Sequence, residues 1–273
     1  MKIISTPFEL KEYLKNERRT VGFIPTMGAL HEGHRALILR AKEENEVVVV
    51  SIFLNPTQFL KGEDLEKYPK KDEADKLICK LSGVDVLFFP QASDMYGEDE
   101  VSLLAPKVRG YILEGESRPG HFNGVLTVVM KLLNIVNPTR AYFGKKDAQQ
   151  LNLITLMVKQ LFMSVNIVAV DTVREKDGLA LSSRNAYLST QERQESLKIA
   201  TSLRSATAMV MRGVLDANAI VENMREILAP LEISYVTIVN REFAQISQVE
   251  LGKSIILVEV FVGSTRLLDN IWL

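Results

Sequence analysis

At 273 residues, with 47% hydrophobic and 25% charged side chains, the chain is long enough for one large domain or two modest ones. A net charge of −1 argues against a nucleic-acid surface as its main business, and no apolar run approaches the length of a membrane span. Cys79 is the only cysteine, which excludes an intrachain disulfide, and the opening MKIISTPFEL carries Pro7 and Glu9 where a signal peptide needs an apolar core, so the expected compartment is the cytoplasm.

The first strong signal runs from Thr20 to His34, TVGFIPTMGALHEGH. Val21, Phe23 and Ile24 favour a strand, Pro25 and Gly28 end it, and Leu37, Ile38 and Ala41 recur at helical spacing. In an open α/β sheet, the loop leaving a strand's carboxyl end lies at the ligand crevice, and the helix that follows presents unpaired N–H groups to an anion. His31 and His34 fall at that helix start, where a phosphate would bind. Their H-E-G-H spacing is not the H-E-x-x-H of zinc proteases, because Gly33 interrupts the helix and the histidines are three apart.

A helix is expected over about residues 34–45, then a fully apolar strand over 47–54 ending in Asn55-Pro56-Thr57-Gln58. Strands apolar on both faces belong to buried parallel sheets. A helix over about 65–81 leads to a strand over 84–89, and a long irregular segment then occupies 91–120. Loops of that length usually carry a function. Helical spacing over 121–136 stops before Pro138, a strand over 141–143 meets Gly144, and Asp147 with Gln150 has capping-box spacing for a helix to about 162. A strand over 165–170 closes the alternation. Five strands, each followed by a helix or loop, predict a Rossmann-like α/β parallel sheet with helices on both faces.

The pattern changes near Lys176. Asp177-Gly178 reads as a turn, Ser182-Ser183-Arg184-Asn185 as a polar loop, and Ser189 with Glu192 as the cap of a helix toward Arg212. A second helix over 216–228 precedes strands over 235–239, 255–262 and 265–268. Residues 177–273 are therefore expected to form a smaller α+β C-terminal domain beside a first domain of residues 1–176.

The polar residues that follow strands or open helices are mostly donors: His31, His34, Asn55, Gln58, Arg118, His121, Lys146, Asp147, Gln150, Ser182, Ser183 and Arg184. No G-x-S-x-G, G-x-G-x-x-G or Walker loop occurs, which disfavours serine hydrolysis, dinucleotide redox chemistry and P-loop phosphate transfer. A donor-rich crevice suits attack on a phosphate, where catalysis is mainly positioning and charge stabilisation. Asp147 also reads as a plain helix cap, and Arg118 and His121, set in a Pro-Gly turn, read equally as structural.

Five linked motifs carry a resemblance: PTMGALHEGH at 25–34, SIFLNPTQF at 51–59, RPGHFNGVLTVV at 118–129, FGKKDAQQ at 143–150 and LSSRN at 181–185. Together, and in this order, they resemble the pantothenate synthetases, the pantoate-β-alanine ligases of the class I nucleotidylyltransferase-like superfamily; beyond about residue 190 the likeness rests chiefly on helix pattern and the closing RLLDN at 266–270. The resemblance implies a ligase that joins pantoate to β-alanine with ATP and Mg²⁺ through a pantoyl-adenylate, releasing AMP and pyrophosphate on the route to coenzyme A. It implies that His31, His34 and Lys146 act at the reacting phosphates, and that Met27, Gly144, Asp147, Ser182, Ser183 and Arg184 join them in binding ATP. Gln58 and Gln150 would hold pantoate's hydroxyls and carboxylate, Met27 would add a backbone contact, and Pro25, Phe53, Val128 and Val129 would pack on its methyls. On the same ground the first domain binds nucleotide and pantoate, the C-terminal domain acts as a lid, and the chain works as a homodimer on small molecules, with neither nucleic acid nor membrane as partner. The Mg²⁺ ligands are not assigned. Lys70 stands after Tyr68-Pro69 where an arginine is expected, and Asn240 where an acid is expected. Two other readings fit the same donors: an adenylyltransferase with a different acceptor, and a nucleotide-sensing protein on the same scaffold.

Overall fold

The structure, a computed structural model, describes residues Met1–Leu273. In chain order the elements are β1 (Lys2–Ile4), α1 (Pro7–Leu14), β2 (Val21–Thr26), α2 (Glu32–Glu44), β3 (Val47–Ile52), α3 (Asp72–Leu81), β4 (Val86–Phe88) and the short α4 (Ala92–Met95) and α5 (Glu114–Ser117). They continue as α6 (His121–Val136), β5 (Arg140–Gly144), α7 (Ala148–Gln160), β6 (Asn166–Val170), α8 (Thr190–Met211), α9 (Ala217–Leu228), β7 (Glu232–Asn240), β8 (Ser254–Val262) and β9 (Thr265–Trp272). The chain divides into two compact units, one of Met1–Lys145 with Leu153–Asp171 and the other of Lys146–Asn152 with Thr172–Leu273.

The first unit holds a six-stranded sheet in the order β1-β4-β3-β2-β5-β6, every neighbouring pair parallel. All six residues of β3 are buried, because helices cover both of its faces. Ile24, Val48, Val50 and Ile52 meet Leu37, Ile38 and Ala41 of α2 and Cys79 of α3 in one apolar layer. Each valine, leucine or isoleucine side chain taken fully out of water there contributes about 1.5–3 kcal/mol. Sequence order reverses at β2, which pairs with β3 on one side and β5 on the other, so the crevice of the sheet opens beyond the carboxyl ends of β2 and β5.

The helices start and stop where their sequences provide for it. Thr6 accepts the N–H of Glu9 and Pro7 opens α1. Asn137 ends α6 in the left-handed region, at φ 46°, just before Pro138. Two sequence expectations change. Residues 65–68 are turns and a bend and 69–71 are irregular, rather than the first half of a helix, because Pro69 lacks a donor and its ring opposes the carbonyl four residues back; α3 starts at Asp72. The sheet has six strands rather than five, the extra one being β1, an edge strand too short to show a period.

In the second unit β7, β8 and β9 form an antiparallel meander. α8 and α9 pack on it through Ile199, Leu203, Ile220, Met224 and Leu228 against Val236, Ile256 and Val258. Ser189 and Glu192 form the expected capping box of α8, and Asp216 caps α9 by accepting the N–H of Ala219 at 2.8 Å. The fold class read from the sequence, a parallel α/β sheet with a smaller α+β unit, is the one observed. No helix is long and apolar enough to cross a membrane.

Candidate active site

β2 ends at Thr26, and the turn after it bends back through Gly28 at φ 89° and Ala29 at φ 52°. A non-glycine residue in that region is strained unless its surroundings hold it. The hold comes from Asp75 of α3, buried, whose two carboxylate oxygens accept the N–H groups of Ala29 and Leu30 at 2.8 Å each. Burial pushes the Asp75 carboxyl above its ordinary value, while the two N–H donors pull it back. Nothing in D-E-A-D-K marks this residue, because the run looks like a solvated helix face until the fold turns it inward.

The turn delivers His31 as the N-cap of α2. His31 Nδ1 accepts from the Gly33 N–H at 3.1 Å, and His34 Nδ1 accepts from the His31 N–H at 3.3 Å, with ring centroids 4.2 Å apart. Two histidines thus cap one helix. In each neutral ring the acceptor nitrogen is Nδ1, so the proton sits on Nε2 and both Nε2 atoms are donors. The helix dipole adds positive potential at the same place.

Gln58 closes a one-turn 3₁₀ helix, Pro56–Gln58, beyond the end of β3. Its orientation follows from a chain of hydrogen bonds. Asn55 Oδ1 accepts from the Tyr96 hydroxyl at 2.6 Å and from Thr57 Oγ1 at 3.0 Å, and burial raises the Tyr96 hydroxyl above its ordinary value, which keeps it protonated. Asn55 Nδ2 is then the donor to Gln58 Oε1, at 3.0 Å. Gln58 Nε2 faces the Met27 sulfur at 3.1 Å, a weak acceptor. Phe53 is buried with its ring tilted against Tyr96, centroids 6.2 Å apart. Pro25 is the next-to-last residue of β2, Gly144 ends β5, and Val128 and Val129 lie buried on α6.

The other residues expected to act belong to the second unit. Lys146 Nζ donates to Asp147 Oδ1 at 3.2 Å, and the Lys146 carbonyl accepts from Asn270 Nδ2 at 2.6 Å. Arg174 grips Asp269 with both guanidinium nitrogens and also donates to the Asn270 carbonyl, so the RLLDN stretch fixes the backbone of Lys146. Ser182 Oγ accepts from the Arg184 N–H at 3.3 Å and opens a 3₁₀ turn over Ser183–Tyr187. Gln150 lies half-buried on α7. The structure therefore joins Met27 to Gln58, His31 to His34, Lys146 to Asp147 and Ser182 to Arg184. Asp75, Tyr96 and Asn270 support these residues, and no local sequence signal singles out Asp75 or Tyr96.

A parallel α/β sheet with two helix-capping histidines and an oriented amide beyond the carboxyl ends of its strands has the donor set of an α/β protein built to receive a small anion. Comparison with known proteins gives the family. The Pantoate-beta-alanine ligase family model matches residues 2–272. A pantothenate synthetase of Sulfurimonas denitrificans is 79% identical over 273 residues, all of both chains. The crystal structure of the pantothenate synthetase from Thermus thermophilus superposes with a TM-score of 0.95 at 40% identity, covering 99% of each chain. A structure of the pantoate-beta-alanine ligase from Francisella tularensis, complexed with beta-gamma ATP and beta-alanine, gives 0.83 at 35% identity over 100% of this chain and 97% of that one. The chain belongs to the pantoate-beta-alanine ligase family and is a ligase, as its five motifs imply.

Proposed function

We propose that this ligase condenses pantoate with β-alanine in two steps, through a pantoyl-adenylate built from ATP. Pantoate's carboxylate oxygen attacks the α-phosphorus, the bond to the β-phosphate oxygen breaks, and pyrophosphate leaves. The amine of β-alanine then attacks the acyl carbon and expels AMP. The observation that carries this reading is the histidine pair, two Nε2–H donors on a helix N-terminus at the switch point of the sheet. His31 and His34 steady the charge that grows on the phosphates, and Lys146 grips the outer ones. Met27, Gly144, Asp147, Ser182, Ser183 and Arg184 complete the ATP site.

Gln58 and Gln150 bind pantoate's oxygens, since an amide both donates and accepts and offers no competing nucleophile. Pro25, Phe53, Val128 and Val129 receive the methyls. Mg²⁺ would arrive on the nucleotide's phosphates and keep most of its water. That ion would neutralise phosphate charge. Residues 1–176 carry the nucleotide and pantoate sites in this reading and residues 177–273 act as a lid, in a cytoplasmic homodimer.

The test is isotope exchange. Label should pass from pyrophosphate into ATP when pantoate alone is added, because the adenylate forms before β-alanine is needed. His34→Ala should slow that exchange by roughly 10²–10³, the usual effect of losing one preorganised donor. Exchange that required β-alanine would contradict the order of steps.

A further inference from the structure

The RPGH turn has no part in the chemistry above, yet its two charged or polar side chains are buried against the residue proposed to hold pantoate. Arg118, 6% exposed, makes a two-pronged pair with Glu63, Nε to Oε1 at 2.7 Å and Nη2 to Oε2 at 2.6 Å. Its Nη2 also reaches the Gln58 carbonyl at 3.4 Å. Its Nη1 lies 2.9 Å from His121 Nε2, and His121 Nδ1 lies 2.7 Å from the same Gln58 carbonyl. A carbonyl only accepts and a guanidinium only donates. His121 must therefore donate from Nδ1 and accept at Nε2, which a neutral ring does in one tautomer alone.

We propose that Arg118 and His121 are positioning residues for Gln58, with His121 neutral and carrying its proton on Nδ1, the tautomer opposite to that of His31 and His34. The inference rests on the reading of Gln58 as a pantoate ligand. Glu63 fixes the guanidinium, the guanidinium fixes the ring, and the ring holds the main chain at the foot of Gln58, while Asn55 orients its amide. The Phe122 ring lies tilted against the His121 ring, centroids 5.0 Å apart. A protonated ring would point a second N–H at the guanidinium and release the Gln58 turn. Small displacements of a positioned group are felt strongly at a reacting centre.

Arg118 is a poor residue to delete, because its loss removes the cation paired with the largely buried Glu63 carboxylate. His121 is the better handle. The chain has three histidines, so nitrogen-15 correlation spectra of the unmodified protein at neutral pH can resolve every ring. One ring, missing in His121→Asn, should show the Nδ1–H pattern and the other two the Nε2–H pattern. In pantoate-dependent pyrophosphate exchange, His121→Phe should raise the KM for pantoate roughly tenfold, the scale of losing a buried hydrogen bond, and leave the KM for ATP within about twofold. His121→Asn, which keeps a donor near the Nδ1 position, should recover most of that loss.

A proton on Nε2 of His121, a doubly protonated ring, or an unchanged KM for pantoate in a folded His121→Phe would each overturn the proposal. Gln58→Ala serves as the reference. If it leaves the KM for pantoate unchanged, the reading of the site fails on its own account, and the spectrum, which needs no substrate, still decides the clamp. Should His121→Phe not fold, the spectrum and His121→Asn decide.

Discussion

Lys145 and Lys146 are adjacent in the chain and differ in the partner each pairs with and in how the backbone is held. Lys145 Nζ pairs at 2.6 Å with Asp171, a carboxylate 88% exposed, and a surface pair of this kind is worth about 0–1 kcal/mol. The Lys146 side chain is 20% exposed, and its backbone is held by Asn270, itself anchored through Arg174 and Asp269. A cation kept on a fixed backbone loses less freedom when it meets a phosphate. Lys146→Ala should cost about 2.7–4 kcal/mol of transition-state stabilisation, while Lys145→Ala should leave turnover nearly unchanged. Equal damage from both, measured as kcat/KM for ATP, would refute the assignment. The same scale explains why the sequence leaves Arg118 and His121 open. A Pro-Gly turn suits a structural and a substrate role alike, and the difference lies in Glu63 and Gln58, more than fifty positions away in the chain.

At the scale of elements, α6 and the Asn55–Gln58 turn meet at Gly124. A Cβ there would stand 2.4 Å from the Thr57 carbonyl oxygen and 2.7 Å from the Gln58 nitrogen, both backbone atoms that no rotamer change can move aside. Asn55 Nδ2 also donates to the Gly124 carbonyl at 3.3 Å across the same contact. Gly124→Ala must therefore push the turn outward, at a cost of about 1–3 kcal/mol for overpacking, and should raise the KM for pantoate more than that for ATP. Equal changes in both, or none, would mean the turn does not carry pantoate's ligand.

Elements with a period or a cap are legible in the sequence. α6 reads at its observed bounds, because its apolar spacing is unbroken and Pro138 stops it, and α8 reads from Ser189 and Glu192. The false helical half at 65–71 runs through Pro69, which a helix interior does not accept, and the helix begins only at Asp72. β1 escapes notice because three residues carry no period. Asp75 escapes because its burial is decided by where α3 lies on the sheet, not by its neighbours in the chain. The RLLDN stretch is noticeable, but its hold on Lys146 is not, since a contact over 124 positions leaves no local trace.

For the molecule as a whole, the apolar layer of the first unit contains two groups that resist ionisation. Burial pushes the Cys79 thiol from an ordinary value of 9.0 up to about 12, and the Tyr142 hydroxyl from 10.0 up to about 12, with Glu44 beside Tyr142 acting in the same direction. Well below pH 9 both groups are protonated in the folded and the unfolded chain, so neither affects the pH dependence of stability. Between pH 9 and about 12 the unfolded chain gives up the Cys79 proton that the folded chain keeps, and stability falls by about 1.4 kcal/mol per pH unit. Tyr142 adds a similar slope from pH 10 upward. Exposed lysines titrate in the same range, so the Cys79 share is read as a difference: Cys79→Ala should flatten the fall in denaturation midpoint with pH by about one proton between roughly pH 9 and 11. The thiol should meanwhile resist alkylation in the folded protein and react at the rate of local opening. A Cys79→Ala profile parallel to that of the unmodified chain, or rapid alkylation at about pH 8 without denaturant, would show that the layer does not exclude the charged thiolate.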